Sequence, residues 1–253
     1  MTKDNYDIAF IPARQGSVRL PGKNVKLLNG IPLIAYSIRS AIDSGLFKEV
    51  IVSTDSPETA KISRDWGASV PTLRPAELSS STSTDIEWVM HAIENLIPFP
   101  QIQIECIAIL RPTNPLRTAS TLKNAMQRFK QNTWADSLRA MEIAQIHPGK
   151  MWRVDGAMEA TPYLDQSNEV IPTHNRPTQS LEQLWIQNAS LEITRLSSVL
   201  ASRSISGNRV MGYQVPEFEG LDLNTPLDWT LLEALIRENP ELIPNLIQPR
   251  GSH

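Results

Sequence analysis

A chain of 253 residues is long enough to bury one hydrophobic core of ordinary size and too short for a large multidomain assembly. Its content of 41% hydrophobic and 20% charged residues excludes the compositions typical of disordered or fibrous proteins. Because 24 Lys and Arg nearly balance 27 Asp and Glu, the net charge of −3 gives no general attraction to nucleic acid or to an anionic membrane. We expect neither as a partner, and any bound phosphate must be held by a local cluster of cations.

The single cysteine and the N-terminal sequence bear on two further properties, the presence of thiolate sites and the localisation of the protein. Cys106 alone can form neither a disulfide scaffold nor a multi-thiolate zinc site, and its place in an apolar run predicts a buried thiol. The N-terminus has no apolar signal region, and no run of about 18 apolar residues occurs. We therefore expect a cytoplasmic protein.

Apolar runs alternate with amphipathic stretches, which predicts parallel strands joined by crossover helices. The predicted strands are 6–12, 50–54, 70–73, 104–110, 136–143, 185–193 and 210–215, and the predicted helices are 32–44, 57–67, 84–97, 118–130 and 226–237. Residues 145–185 are polar, rich in proline and weakly periodic, so we predict an inserted lobe there. The whole of 1–250 is expected to form a single domain, and 251–253 is excluded from the fold as a tail.

The first predicted strand leads into a loop, residues 12–24, at the carboxyl end of the strand, where α/β sheets bind ligands. Its backbone N–H groups can surround a polyphosphate while its cations neutralise the charge. The loop has neither a dinucleotide fingerprint nor a Walker sequence, so its composition favours a phosphate loop and a solvated basic turn equally. The residues concerned are Arg14, Gly16, Ser17, Arg19, Gly22 and Lys23.

The order of residues in this loop is more specific than its composition. Ile11-Pro12-Ala13-Arg14-Gln15-Gly16-Ser17 with Leu20-Pro21-Gly22-Lys23-Asn24 resembles the signature loop of the cytidylyltransferases that activate sialic-type nonulosonic acids, the CMP-acylneuraminate synthetase family. The resemblance continues, in the same order, through 29–38, 50–55, 73–78 and 110–117, and more weakly through 187–188 and 222–228. It implies an α/β, three-layer, Rossmann-like nucleotidyltransferase fold with a mainly parallel, mixed sheet and a small dimerisation lobe.

The resemblance also implies a reaction: CMP passes from CTP to the anomeric hydroxyl of an acidic keto-sugar, and pyrophosphate leaves with the assistance of Mg2+ or Mn2+. A homodimer is implied as well, with the lobe reaching toward the neighbour's sugar site. Because attack at the α-phosphate builds negative charge, the protein must mainly supply positioning and positive charge. The implied catalytic residues are Lys23, Arg14 and Asp222, and the implied CTP-binding residues are Ala13, Arg14, Gly16, Ser17, Arg19, Lys23, Asn24, Arg74 and Ser83.

Two positions depart from the family's nucleotide and metal pattern. The family commonly has a lysine where this chain has Val18, and we expect Arg19 to supply the missing charge. The metal pair, typically Asp-x-Asp, is here Asp222 and Asn224. Asparagine can ligate through its carbonyl oxygen but removes one negative charge, so we predict weaker intrinsic magnesium affinity or greater reliance on the triphosphate.

The sugar side departs further from the family. Arg111 stands where the sialic-acid enzymes carry glutamine, Thr178 where they carry arginine, and Asn188-Ala189-Ser190-Leu191-Glu192 replaces their Asn-Gly-Ala-Ile-Tyr. The substrate's carboxylate needs a partner, for which a bidentate arginine is efficient. Glu192 in place of an aromatic suggests an amino or differently acylated sugar. The candidate sugar-binding residues are Arg111, Arg117 and Arg176 for the carboxylate, with Gln179 and Asn188 for hydroxyls.

Two alternatives remain open at this stage. Arg111 and the altered Asn-Ala-Ser segment are compatible with a cytidylyltransferase for keto-deoxy-octulosonate or a related sugar. Asn224 and Val18 are compatible with a catalytically lapsed nucleotide-binding homologue that keeps the fold.

Overall fold

The computed structural model describes residues 5–17, 19–80, 82–97, 104–164, 171–244 and 246. Val18 and the predicted tail at 251–253 lie outside the described residues. The chain divides into two compact units, the first within Met1–Ala140 and Asn188–His253 and the second within Met141–Gln187. The predicted lobe, 145–185, falls inside the second unit.

Ten strands and six α-helices are found in the described ranges. The strands are β1 (Tyr6–Pro12), β2 (Leu27–Leu28), β3 (Ile31–Pro32), β4 (Phe47–Ser53), β5 (Ile104–Ile109), β6 (Ser137–Ile143), β7 (Trp152–Val154), β8 (Ala160–Pro162), β9 (Trp185–Arg195) and β10 (Val210–Gln214). The helices are α1 (Leu33–Ser44), α2 (Pro57–Asp65), α3 (Asp85–Asn95), α4 (Ala119–Gln131), α5 (Leu196–Ser202) and α6 (Pro226–Glu238). In these ranges we find no helix with the length and apolar character needed to span a membrane.

A six-stranded sheet, in the order β10-β6-β9-β5-β1-β4, lies between two layers of helices. Successive side chains of a strand point to opposite faces, so Ala9 and Ile11 pack on one side of β1 while Ile8 and Phe10 pack on the other. The first face is covered by apolar residues of α1, α2 and α4, and the second by those of α3 and α5. Cys106 is buried in the first cluster, where burial raises the pKa of its thiol to about 12. The predicted three-layer α/β class is confirmed.

The connections of β1 create a crevice at one end of the sheet. The chain passes from β1 through α1 to β4, which pairs with β1 in parallel, and then through α2 and α3 to β5, which pairs in parallel with the opposite edge of β1. β9 joins β5 in the antiparallel sense, so the sheet is mixed. Open α/β sheets bind ligands where such connections diverge, outside the carboxyl ends of the strands.

One prediction about the elements was wrong, and one helix was missed. The strand predicted at 70–73 does not form, and the nearest pairing is an isolated bridge between Ser69 and Ile51. Pro71 has no N–H for a ladder, which explains why the short apolar stretch does not extend the sheet. Helix α5 was not predicted, because seven residues are too few to establish a helical period.

The second unit is built from short elements. β7 and β8 form an antiparallel hairpin, whose turn is held by Asp155 Oδ1 accepting from the backbone N–H groups of Ala157 and Glu159, each at 2.9 Å. The ring of Trp152 lies 4.6 Å from that of His174. Lys150 Nζ donates to the carbonyl of His174 at 2.9 Å. This bond connects the chain around His174 to the chain that precedes β7.

Candidate active site

A cleft of about 440 Å3 lies at the carboxyl ends of β1 and β5. Its volume is in the range of small-molecule sites. Two carboxylates line it, Asp85 and Asp222, against five cationic side chains, Arg14, Arg19, Lys23, Arg74 and Arg111. This excess of positive charge, concentrated in a protein whose net charge is −3, is suited to a polyanionic ligand.

The loop after β1 is folded back on itself by a turn at Pro21-Gly22. The N–H of Lys23 donates to the carbonyl of Leu20 at 3.2 Å, and Gly22 has φ +66°, a conformation that favours glycine. Asn24 Nδ2 donates to the carbonyl of Arg14 at 3.2 Å. The first bond closes the turn and the second connects the two ends of the loop, and Arg14 and Lys23 line the same cleft.

Lys23 is a partly buried cation in this cleft. Its Nζ donates to the carbonyl of Leu223 at 3.2 Å. Burial lowers the pKa of Lys23 below its ordinary value of 10.5, the carboxylate of Asp222 opposes that shift, and the cations Arg19 and Arg14 add to it. The side chain therefore joins the loop of residues 12–24 to the segment that carries Asp222.

Arg74 is a buried cation fixed to the end of β4. Its Nε donates to Ser53 Oγ at 3.0 Å and its Nη2 to the Ser53 carbonyl at 2.7 Å. Its guanidinium also lies 5.1 Å from the ring centre of Trp88. Burial lowers the pKa of Arg74 to about 10, so the group stays charged at neutral pH and gives the cleft a fixed positive charge.

The acidic side of the cleft is formed by Asp222 and Asn224. The backbone between them is held by the N–H of Leu223, which donates to the carbonyl of Thr113 at 2.9 Å. Asn224 Nδ2 donates to Asp222 Oδ2, and Asn224 Oδ1 accepts from Arg19 Nη2 at 3.0 Å. Asp222 Oδ1 is buried and has no hydrogen-bond partner among the described residues.

These donors fit a magnesium ion that is bound mainly through phosphate. Magnesium usually takes one or two carboxylates together with phosphate and water oxygens, and Asp222 Oδ1 would be available as one such ligand. Among the residues that the structure describes, no group of three or more His, Cys, Asp or Glu could hold a metal without other ligands. The amide of Asn224 already binds both Arg19 and Asp222.

Most of the residues assigned to CTP and to the metal come together in the cleft. Ala13 and Gly16 do not line it: Ala13 is buried beneath the loop, with its N–H donating to the Ser53 carbonyl at 2.9 Å, and Gly16 is exposed. The residues that do line it are Arg14, Ser17, Arg19, Lys23, Asn24, Arg74, Ser83, Asp222 and Asn224.

The residues assigned to the sugar are divided between the two units. Arg111 lines the cleft. Asn188 lies at the start of the second stretch of the first unit, where its Oδ1 accepts from the N–H of Ser190 at 3.2 Å. Arg176 and Gln179 belong to the second unit, where Arg176 Nη2 donates to the Ser180 carbonyl at 3.1 Å and Gln179 is exposed.

The predicted sugar contact of Arg117 is not compatible with its position. This side chain is only 2% exposed and donates to the carbonyl of Ser190 and, at 2.7 Å, to Ser37 Oγ. Burial lowers the pKa of Arg117 to about 10. It ties α1 to β9 in the interior and does not reach the cleft.

Glu192 also differs from its prediction. It is 6% exposed, and its carboxylate forms ion pairs with Arg111, at 2.9 Å, and with Arg139. A side chain so enclosed gives no basis for expecting an amino sugar. The sequence hides this arrangement because Glu192 and Arg111 are 81 residues apart and meet only through the antiparallel register of β5 and β9, which sets Ile109 opposite Glu192.

Two cleft residues, Asp85 and Trp88, were missed. Trp88 Nε1 donates to Asp85 Oδ1 at 2.9 Å, and Asp85 in turn pairs with Arg111 at 2.6 Å. Burial alone would raise the pKa of Asp85, but the charge of Arg111 lowers it below the ordinary value, so the Asp85 carboxylate is ionised at neutral pH. Asp85 occupies the first turn of α3, where an acid is typical of any helix, and this common pattern concealed its place in the cleft.

Comparison with known proteins gives concordant results. Residues 8–199 match the family model described as "Cytidylyltransferase". The chain is 33% identical to the CMP-N,N'-diacetyllegionaminic acid synthase of Legionella pneumophila over 240 residues. This alignment covers 93% of this chain and 98% of that protein. It is also 39% identical to the pseudaminic acid cytidylyltransferase of Campylobacter jejuni over 126 residues. That alignment covers 50% of this chain and 54% of that protein.

Among solved structures, the fold resembles a CMP:2-keto-3-deoxy-manno-octonic acid synthetase complexed with CTP. The TM-score is 0.63, the identity 15%, and the match covers 92% of this chain and 99% of the other. At this identity the likeness concerns the fold alone.

Proposed function

Because the chain belongs to the cytidylyltransferase family, we propose that it transfers CMP from CTP to the anomeric hydroxyl of a sialic-type nonulosonic acid and releases pyrophosphate. The family is the one predicted from the signature loop. The observation that carries the proposal is the meeting of Lys23 with the Asp222 segment across a cleft lined by five cations. This arrangement suits a triphosphate and an acidic sugar together.

The side chains of the cleft have different roles in the proposed reaction. The hydroxyl oxygen of the sugar attacks the α-phosphorus, the bond from that phosphorus to the bridging oxygen breaks, pyrophosphate leaves, and the hydroxyl proton passes to water. Lys23 and Arg14 neutralise the charge that develops on the phosphoryl oxygens, because both line the cleft and come from the same folded loop. Arg74 is held rigidly enough to orient the nucleotide without losing side-chain entropy on binding.

Mg2+, or Mn2+, is proposed as the cofactor. Asp222 would hold it through Oδ1, and the bound ion would neutralise phosphate charge. Asn224 would act on Arg19 and Asp222 as well as on the metal. Since Asp222 is the one carboxylate assigned to the metal here, the triphosphate would bring much of the coordination.

A homodimer is proposed, with the second unit as its interface. Eleven of the twenty large apolar side chains that are exposed in the described residues belong to that unit, although it contains fewer than 50 of the 253 residues. Exposed apolar side chains in such number mark interaction surfaces, and most soluble oligomers are formed by copies of one chain. The examples with the greatest exposure are Ile146, Val154, Met158, Ile171 and Ile186.

The proposal is tested by measuring pyrophosphate release from CTP with a panel of acidic keto-sugars, in Mg2+ and in Mn2+. We expect turnover with at least one nonulosonic acid, and loss of turnover in Lys23→Ala and in Asp222→Ala. Lys26→Ala is the matched control, because Lys26 comes two residues after this loop but lies over the ring of Trp229, 4.0 Å from its centre. Full activity of either cleft variant would remove its assigned role.

The same panel separates the alternatives. Turnover restricted to keto-deoxy-octulosonate would replace the nonulosonic acid by that substrate. Binding of CTP without turnover of any sugar, in either metal, would identify a lapsed nucleotide-binding homologue.

A further inference from the structure

A network of four charged side chains runs from the cleft into the interior of the first unit. Arg111 Nη2 lies 2.6 Å from Asp85 Oδ2 and 2.9 Å from Glu192 Oε1. Glu192 also pairs with Arg139, whose Nη2 donates to Ser206 Oγ at 2.7 Å. Two arginines and two carboxylates make the network neutral as a whole.

The two carboxylates differ in their access to solvent. The side chain of Glu192 is 8% exposed and that of Asp85 is 39% exposed, while the side chain of Arg111 between them is 25% exposed. Asp85 and Arg111 line the cleft, and Glu192 does not. Glu192 therefore approaches Arg111 from the interior, and Asp85 approaches it from the cleft.

We propose that Arg111 receives the carboxylate of the acidic sugar, that Glu192 holds its guanidinium in the cleft, and that Asp85 occupies the place of that carboxylate while the sugar is absent. The inference rests on the proposed function. Asp85 reaches Arg111 through both carboxylate oxygens, at 3.4 and 2.6 Å, which is how a substrate carboxylate would approach a guanidinium. When the sugar binds, its carboxylate replaces that of Asp85 on Arg111, and Asp85 moves to solvent.

Glu192 is thus a positioning residue, and Arg111 is a specificity-determining one. A guanidinium with a buried carboxylate behind it loses little rotational freedom when a second carboxylate arrives in front. Without Glu192, Arg111 would be drawn to Asp85 alone and the sugar would have to compete for a less well-oriented partner. A purely electrostatic role makes the opposite prediction, since removal of any negative charge near the cleft should strengthen binding of an anion.

The test compares Glu192→Gln with Asp85→Asn, each of which removes one negative charge. We expect Glu192→Gln to raise the KM for the acidic sugar roughly tenfold or more while the KM for CTP stays unchanged. We expect Asp85→Asn to lower the KM for the sugar, because the internal competitor is weakened. A lower or unchanged sugar KM in Glu192→Gln would overturn the proposal.

A matched control and a second variant keep the test decisive. Glu105→Gln removes an equivalent carboxylate, ion-paired with Lys130 at 3.1 Å, from the opposite end of β5 and should leave both KM values unchanged. If Glu192→Gln does not fold, Arg111→Lys keeps the charge but removes the planar fork, and it should raise the sugar KM alone. An equal rise in the KM for CTP in that variant would contradict the proposal.

Calorimetric binding of the acidic sugar, in the presence of a CTP analogue that cannot react, separates this inference from the proposed function. Unmodified protein that neither binds nor turns over any acidic keto-sugar would overturn both. Sugar binding that is equally tight in the unmodified protein and in Glu192→Gln would overturn the present inference alone.

Discussion

At the scale of single residues, a testable feature is the pH at which the Lys23 side chain loses its proton. Burial, reinforced by Arg19 and Arg14, lowers the pKa of Lys23 below 10.5, so its ammonium loses its proton at a lower pH than an exposed lysine does. Since the charged form binds the triphosphate, CTP affinity should fall as the pH rises through the range below 10.5. In the same range CTP binding should take up protons, because the bound phosphate favours the ammonium.

Calorimetry in buffers of different ionisation enthalpy measures both effects. Lys23→Arg keeps its charge throughout the alkaline range and should remove most of the pH dependence. Lys26→Arg, two residues after the loop and outside the cleft lining, should leave this pH dependence as in the unmodified protein. CTP affinity that does not change with pH in this range would contradict the role given to Lys23.

At the scale of elements, helix α6 positions the segment that carries Asp222, the residue proposed to bind Mg2+. Asp228 Oδ2 accepts from the N–H groups of Asn224, at 2.9 Å, and Thr225, at 2.7 Å, so the same carboxylate begins the helix and fixes the chain beside Asp222. We expect Asp228→Ala to lower the free energy of unfolding by about 1 kcal/mol. It should also raise the Mg2+ concentration needed for half-maximal pyrophosphate release, because Asp222 becomes less well positioned.

Ser56→Ala provides the control for this prediction. Ser56 Oγ accepts from the N–H of Thr59 at 3.2 Å at the start of α2, and Ser56 does not line the cleft. Its loss should cost a similar free energy of unfolding, about 1 kcal/mol, with no change in the Mg2+ requirement. An identical Mg2+ requirement in the two variants would show that α6 does not position Asp222 for the proposed metal.

The same scale explains what could be read from the sequence. Strand β1 was predicted with its observed bounds, Tyr6–Pro12, because a continuous apolar run between polar residues is a local signal. The cationic loop that follows it could also be predicted, because its cations and glycines lie close together in the sequence. The pairing of Arg111 with Glu192 could not be predicted, since it depends on which strands become neighbours and in what register. Arg117 was misplaced because a sequence does not distinguish an arginine that binds the interior from one that binds a ligand.

At the scale of the whole molecule, the proposed dimer can be tested together with the assignment of Arg176. If the second unit of one chain reaches the sugar site of its neighbour, Arg176 acts in the partner's cleft while Lys23 acts in its own. Lys23→Ala and Arg176→Ala would each be inactive alone. A mixed dimer would nevertheless contain one complete site, because the chain that keeps Lys23 receives the intact Arg176 of the other.

Mixing the two inactive variants under conditions that exchange subunits should therefore restore activity, to about a quarter of the unmodified sites for random pairing. Mixing Lys23→Ala with Asp222→Ala should restore none, because both residues line one cleft of the first unit and no pairing can complete it. Sedimentation should give twice the chain mass of 28.3 kDa, and Ile171→Lys, at a side chain that is 58% exposed, should reduce it to one chain. A monomer in the unmodified protein, or a mixture that stays inactive although subunits exchange, would show that Arg176 does not act across a dimer.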